Sequence, residues 1–87
     1  MKKIIYGNDK NIIYRQLRHY RTLRGLTQEQ VAARMQTMNV NMDQQMLSKI
    51  EHNARFVTDY ELACFCKILE VSEQELLADF YQQTDAK

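Results

Sequence analysis

The sequence has no proline and no tryptophan, and it has only two glycines. A chain without proline, with 45% hydrophobic and 26% charged residues, fits a compact helical domain better than a disordered chain. It contains no glycine-rich phosphate loop, no apolar run long enough to span a bilayer, and no apolar region of a secretory signal near the N-terminus. We therefore expect one cytoplasmic domain, residues 1–87, with no membrane association.

Cysteine and histidine are also scarce, with two residues of each. Cys64 and Cys66 are two positions apart, so they lie on different sides of a helix and cannot pair with each other. No histidine pair stands near them to complete a metal site, and His19 and His52 lack a nearby nucleophile arrangement. We expect reduced cysteines, no metal, no cofactor and no enzymatic activity.

The net charge of +1 hides an uneven distribution. Residues 1–58 contain ten Lys/Arg and four Asp/Glu, a net charge of +6, whereas residues 59–87 contain two and seven, a net charge of −5. This asymmetry favours a polyanion as the partner of the N-terminal two-thirds. The alternative is a solvated helix surface with an incidental bias.

The starts of the helices form the clearest pattern. Thr27, Thr58 and Ser72 each stand three residues before Gln or Glu, which is the spacing of a capping box, and Asp43 can cap a helix without the box. Each cap follows an apolar residue that pairs with another five positions later, as a hydrophobic staple. The pairs are Leu26 with Val31, Met42 with Leu47, Val57 with Leu62, and Val71 with Leu76.

The first helix is less sharply defined. Asn8 or Asp9 is the expected cap, and Gly25 is a natural left-handed stop. The sequence thus predicts an all-α bundle with a frayed tail at 82–87. Its five helices are expected at about residues 9–24, 28–38, 44–52, 59–69 and 73–81.

Helix 44–52 has two contrasting faces. One broad face is polar and carries no carboxylate; it holds Gln44, Gln45, Ser48, Lys49 and His52. The opposite face holds Leu47 and Ile50, which should be buried. The side-by-side acceptor and donor of a glutamine match N7 and N6 of adenine in the major groove, and Lys49 could reach guanine or phosphate. The alternative is that these side chains only keep a surface helix soluble.

Two charges stand on otherwise apolar stripes. Glu51 follows Leu47 by four residues, and Arg21 follows Leu17 by four. Because a buried carboxylate requires a cation, we predict that Arg21 and Glu51 form a partly buried ion pair. The alternative is two boundary residues that reach water separately.

Several landmarks follow one another along residues 12–77: Arg21, GLTQEQVA at 25–32, SKIE at 48–51, Arg55, and LEVSEQELL at 69–77. In this order they resemble the helix-turn-helix family of the Cro and phage-repressor type, often called the Xre family. The resemblance implies a five-helix, lambda-repressor-like domain that binds double-stranded DNA as a transcriptional regulator. Residues 1–8 would form an N-terminal arm.

The same resemblance implies roles for individual residues. Helix 28–38 would position helix 44–52, which would be the recognition helix. Its base-contacting residues would be Gln44, Gln45, Ser48 and Lys49. Phosphate would be contacted by Gln28 and Arg55, and the family's interior ion pair would be Arg21 with Glu51.

The sequence departs from the family pattern in three places. The segment between the second and third helices is longer by about five residues than the usual tight turn. We therefore predict that the positioning helix gains a turn and ends at Asn39 in the left-handed conformation. Asn53 replaces the usual glycine after the recognition helix. Glu70 also stands where the family often has glycine, which costs about 1 kcal/mol if the position is left-handed.

Domains of this kind usually bind DNA as two-fold dimers. In the last helix Leu76 and Phe80 form one stripe, and Leu77 and Tyr81 form the next. One stripe can fill the core while Leu77 and Tyr81 form a homodimer surface; alternatively, a monomer buries both. A second hypothesis for function is a protein-binding module, antitoxin-like or an adaptor, whose acidic segment at 59–85 contacts a basic partner.

Overall fold

Six α-helices make up most of the described part of the chain, which covers residues 8–85 of a computed structural model, with side chains described for residues 8–82. They are α1 (Tyr14–Leu23), α2 (Gln28–Thr37), α3 (Gln44–Glu51), α4 (Asp59–Leu69), α5 (Glu73–Leu76) and α6 (Ala78–Asp85). Residues 8–85 contain no strand, so the predicted all-α class is confirmed. The predicted N-terminal arm lies outside the described residues except for Asn8.

The predicted caps start four of these helices. At α2, the Thr27 hydroxyl accepts from the Gln30 backbone amide (3.0 Å), while the side-chain oxygen Oε1 of Gln30 accepts from the Thr27 backbone amide (2.8 Å). The same reciprocal capping box occurs at the starts of α4 and α5. Asp43 caps α3 by accepting from the Met46 amide at 2.8 Å. These local hydrogen bonds satisfy donors that every helix start leaves free.

The core lies where α1 to α5 meet. Its buried apolar residues are Ile13, Leu17, Val31, Ala32, Met35, Val40, Met42, Leu47, Ile50, Phe65, Cys66, Leu69 and Leu76. The inner face of α3 contributes Leu47 and Ile50, both fully buried. An eight-residue helix is too short to be stable alone in water, so this burial is what keeps α3 folded.

The first helix starts later than predicted. It begins at Tyr14, and its N-cap, Ile13, makes no side-chain capping bond. Neither Asn8 nor Asp9 caps this helix, and the side chains of Asp9 and Asn11 bond to the C-terminal end of α3 and the residues just after it instead. Asp9 accepts from Asn53 Nδ2 at 2.7 Å, and Asn11 Nδ2 donates to the Ile50 carbonyl at 3.0 Å. Long-range hydrogen bonds thus override a local helix signal.

The last predicted helix, 73–81, is two helices in the structure. Leu77 separates α5 from α6, with φ −94° and ψ 14°. Leu76 is buried in the core, and Leu77 is partly buried against it. Because the helix is interrupted at Leu77, both of these neighbouring residues can contact the core. Asp79 on α6 accepts from Gln16 Nε2 on α1 at 3.1 Å. Of the tail that was expected to fray, 82–87, residues 82–85 belong to α6, and 86–87 lie outside the described residues.

The lengthened connection between α2 and α3 is well anchored. Asn39 has φ +64°, so the predicted left-handed end of the positioning helix is confirmed. Val40 and Met42 are buried, and Gln36 Nε2 donates to the Met42 carbonyl at 2.7 Å. The connection therefore contributes two apolar side chains to the core and fixes the position from which α3 starts.

Candidate nucleic-acid interface

Four of the predicted DNA-contacting residues lie on the outer face of α3. Gln44, Gln45 and Lys49 are exposed, and Ser48 is half-buried. Among the described residues, the side chains of Gln45 and Lys49 make no hydrogen bond. Ser48 Oγ lies 3.5 Å from His52 Nδ1, one turn along the same face. This face presents hydrogen-bonding groups and a positive charge to solvent, whereas the opposite face is fully buried.

Gln28 connects α2 to the start of α3. Gln44 Nε2 donates to Gln28 Oε1 at 2.6 Å, and Gln28 Nε2 donates to Glu51 Oε1 at 3.0 Å. The two glutamines also border an open groove of about 490 Å³ that runs beside the start of α2. The structure therefore brings Gln28, expected to contact phosphate, against Gln44, expected to contact a base.

Arg21 and Glu51 form a bidentate ion pair. Arg21 Nε lies 2.6 Å from Glu51 Oε2, and Arg21 Nη2 lies 3.0 Å from Glu51 Oε1. The Glu51 side chain is only 2% exposed and that of Arg21 13%. Arg21 Nη1 also donates to the Leu26 carbonyl at 2.9 Å, just before α2. The pair therefore holds α1, the α1–α2 loop and α3 in one arrangement.

Arg55 occupies a second buried ion pair, which the sequence did not predict. Its Nη1 and Nη2 each lie 3.1 Å from an oxygen of Glu61, whose side chain is 4% exposed. Burial acts to raise the pKa of the Glu61 carboxyl, but the Arg55 guanidinium and the Thr58 amide outweigh it and hold that pKa below its usual value. Arg55 thus fixes the segment that follows α3.

Two asparagines, Asn11 and Asn53, hold the C-terminal end of α3 by hydrogen bonds. Asn53 has φ +58°, and its Oδ1 accepts from the amides of Lys10 (2.8 Å) and Asn11 (3.2 Å). The 8%-exposed Asn11 donates in turn to the carbonyls of Ile50 and Arg55, both at 3.0 Å. The segment before α1 is therefore bound across the C-terminal end of α3. Nothing in the local sequence marks these contacts, since they join residues about 40 positions apart.

The family model described as a helix-turn-helix domain matches residues 15–85, most of the chain. The chain belongs to the helix-turn-helix domain family. No curated protein and no solved structure matches it. Helix-turn-helix domains bind DNA by placing the second helix of the motif in the major groove.

The same family is generally non-enzymatic. Within residues 8–85 of this helix-turn-helix domain, no group of His, Cys, Asp and Glu could hold a metal ion. None of its described helices is both long and apolar enough to cross a bilayer.

Proposed function

We propose that this helix-turn-helix domain is a transcriptional regulator of the Xre type that binds specific sequences of double-stranded DNA through α3. The observation that carries the proposal is the contrast between the two faces of α3. Its outer face is polar, exposed and free of carboxylates, while Leu47 and Ile50 anchor the inner face. A protein-binding helix would favour apolar anchors on its outer face.

Gln44 has the groups that adenine requires. One Nε2 hydrogen goes to Gln28, which leaves the other hydrogen and Oε1 for a partner. Adenine offers an acceptor at N7 and a donor at N6 in the major groove, so both groups of the amide can be used. Gln45 and Lys49 supply further base contacts, and Ser48 contributes through its hydroxyl.

Phosphate contacts complete the interface by fixing the protein on the duplex. Gln28 Nε2 keeps one hydrogen beyond its bond to Glu51. Arg55 keeps its Nε hydrogen and one Nη2 hydrogen, and its side chain is 26% exposed. Both residues can therefore reach a phosphate while retaining their contacts within the protein.

The test is a selection from randomised duplex DNA at about 0.15 M salt, where non-specific binding is partly screened. We expect an enriched motif. Gln44→Ala and Gln45→Ala should each lose about 1–3 kcal/mol of discrimination at one base pair. Arg55→Ala, which removes an expected phosphate contact, should weaken binding more evenly across sequences. An unchanged preference in both variants would show that neither Gln44 nor Gln45 reads a base.

We propose a homodimer as the DNA-binding form, because two-fold motifs are typical of this class of domain. Tyr81 is 40% exposed on α6, and Leu77 lines an apolar groove together with Ile12, Val57 and Leu62. Sedimentation of the double variant Leu77→Asp, Tyr81→Asp should show half the mass of the wild type. The matched control is Leu23→Asp, at a site 61% exposed on α1, which should sediment as the wild type does. An unchanged mass in the double variant excludes this surface.

A second candidate is a protein-binding module, favoured by exposed aromatic residues beside the α3–α4 loop. Phe56 is 67% and Tyr60 is 59% exposed. Aromatic side chains of this kind are enriched at protein interfaces. The same selection separates the candidates: no enriched motif, with weak and strongly salt-dependent binding, supports the protein-binding module.

A further inference from the structure

A continuous hydrogen-bond chain leads from the buried ion pair to the exposed start of α3. Glu51 accepts from two nitrogens of Arg21 and from Gln28 Nε2 (3.0 Å). Gln28 Oε1 then accepts from Gln44 Nε2 at 2.6 Å. The chain begins at a carboxylate that is 2% exposed and ends at a side chain open to solvent.

The negative charge of Glu51 determines which group donates and which accepts in each hydrogen bond of this chain. An ionised carboxylate only accepts, so Gln28 must turn its NH2 group toward Glu51. The Gln28 carbonyl oxygen then faces Gln44, so Gln44 must offer its own NH2 group in return. The Gln44 amide is thereby held in one of its two flipped orientations, with its oxygen left for a base donor.

We propose that Glu51 is a positioning residue for base recognition: acting through Gln28, it fixes the orientation in which Gln44 meets a base. The inference rests on the proposed DNA-binding function. A side chain that is already held in its bound orientation loses less freedom on binding, so it discriminates better between correct and incorrect bases. Gln45 provides the contrast, because the side chain of this neighbouring glutamine is exposed and has no hydrogen bond to residues 8–85.

The experiment measures a ratio of two affinities for the 87-residue protein. The first affinity is for the selected DNA site, and the second is for the same site with one base pair changed. That base pair is the one at which Gln44→Ala loses discrimination. Glu51→Gln should lower this ratio by about tenfold, the scale of one good base contact. In a Gln44→Ala background, Glu51→Gln should change the ratio no further. A merely structural role would lower affinity for both sites together and leave the ratio unchanged.

The matched control is Glu61→Gln. Glu61 is also a buried carboxylate in a bidentate pair with an arginine, at 3.1 Å from both Arg55 nitrogens. It has no hydrogen bond to Gln28 or Gln44. Glu61→Gln should lower stability and overall affinity but keep the base-pair ratio. Equal ratios for the two variants would overturn the inference.

Gln28→Met covers the case in which Glu51→Gln does not fold. It interrupts the same chain at a half-buried position and leaves the ion pair with Arg21 intact. A lowered ratio supports the inference, and an unchanged ratio overturns it. If the wild type selects no motif, the proposed function itself fails. If a motif appears and Gln44→Ala alters it, while Glu51→Gln and Gln28→Met do not, only this inference fails.

Discussion

Replacing Glu70 with glycine should stabilise the protein, because this residue closes α4 in the left-handed conformation. Its φ is +57° and its ψ +49°, and its side chain is exposed. Within the described part of the chain, the hydrogen bonds at this position involve backbone carbonyls and not the Glu70 side chain. Arg24 donates from Nε to the Leu69 carbonyl at 2.7 Å and from Nη2 to the Glu70 carbonyl at 3.2 Å. Glycine would keep both bonds.

The expected gain follows from three contributions. Relief of left-handed strain contributes about 1–2 kcal/mol. Removal of a negative charge from a helix C-terminus contributes about 0.3–1 kcal/mol. The greater freedom of glycine in the unfolded chain opposes these by about 0.4–1 kcal/mol. The net gain in the free energy of unfolding should be about 1 kcal/mol, which corresponds to a rise in Tm of about 4–8 °C for a domain of this size.

Urea unfolding at pH 7 would measure the gain, with the midpoint rising and the m-value unchanged. Glu70→Gln isolates the charge and should give a smaller gain. Asn53→Gly is the contrasting control: φ there is +58°, but the Asn53 side chain bonds to Asp9, Lys10 and Asn11. That variant should lose stability, since the lost bonds outweigh the relieved strain. A Glu70→Gly protein no more stable than Glu70→Gln would refute the reasoning.

Two further predictions concern ionisable groups. The lowered pKa of Glu61 stabilises the fold above the unfolded-state value of about 4.5, and this contribution is lost as the pH falls through the lower folded-state pKa. The stability difference between wild type and Glu61→Gln should therefore be constant near pH 7 and shrink below about pH 4.5 in urea unfolding series; an increase there would contradict it. Burial, with the charges of Glu73 and Glu75, raises the pKa of Cys66 to about 11. Alkylation at pH 8 followed by mass spectrometry should modify half-buried Cys64 before Cys66 in the native protein, and equal rates would show that Cys66 is accessible.

The starts of α2 to α5 could be predicted to the residue because capping is local. Thr27, Asp43, Thr58 and Ser72 each bond to an amide three positions along the chain, and a window of a few residues contains both partners. The start of α1 could not be predicted in this way. Asp9 looks like a cap, but its carboxylate bonds to Asn53, 44 positions away.

In the candidate site, too, local patterns could be predicted from the sequence and long-range contacts could not. Helical periodicity separated the outer face of α3 from Leu47 and Ile50, and it placed Glu51 and Arg21 on inward-facing stripes. It gave no indication that Gln28 bonds to both Gln44 and Glu51, because that depends on how closely α2 approaches α3 across the long connection. The family resemblance implied that Arg55 contacts phosphate. The bond from Arg55 to Glu61 could not be predicted, because it depends on the path of the loop between α3 and α4.

Polar contacts hold both ends of α3, and the geometry that they impose matters more than the stability that they add. Leu47 and Ile50 are fully buried and account for the stability of the helix. Buried ion pairs add little net stability, because desolvation offsets their attraction. What they contribute is geometry: the bidentate pair at Glu51 holds α3 in one rotation about its axis, and the asparagine contacts fix the position of its C-terminal end. A short helix that must present a few side chains to base edges requires such orientation, which apolar packing alone does not fix.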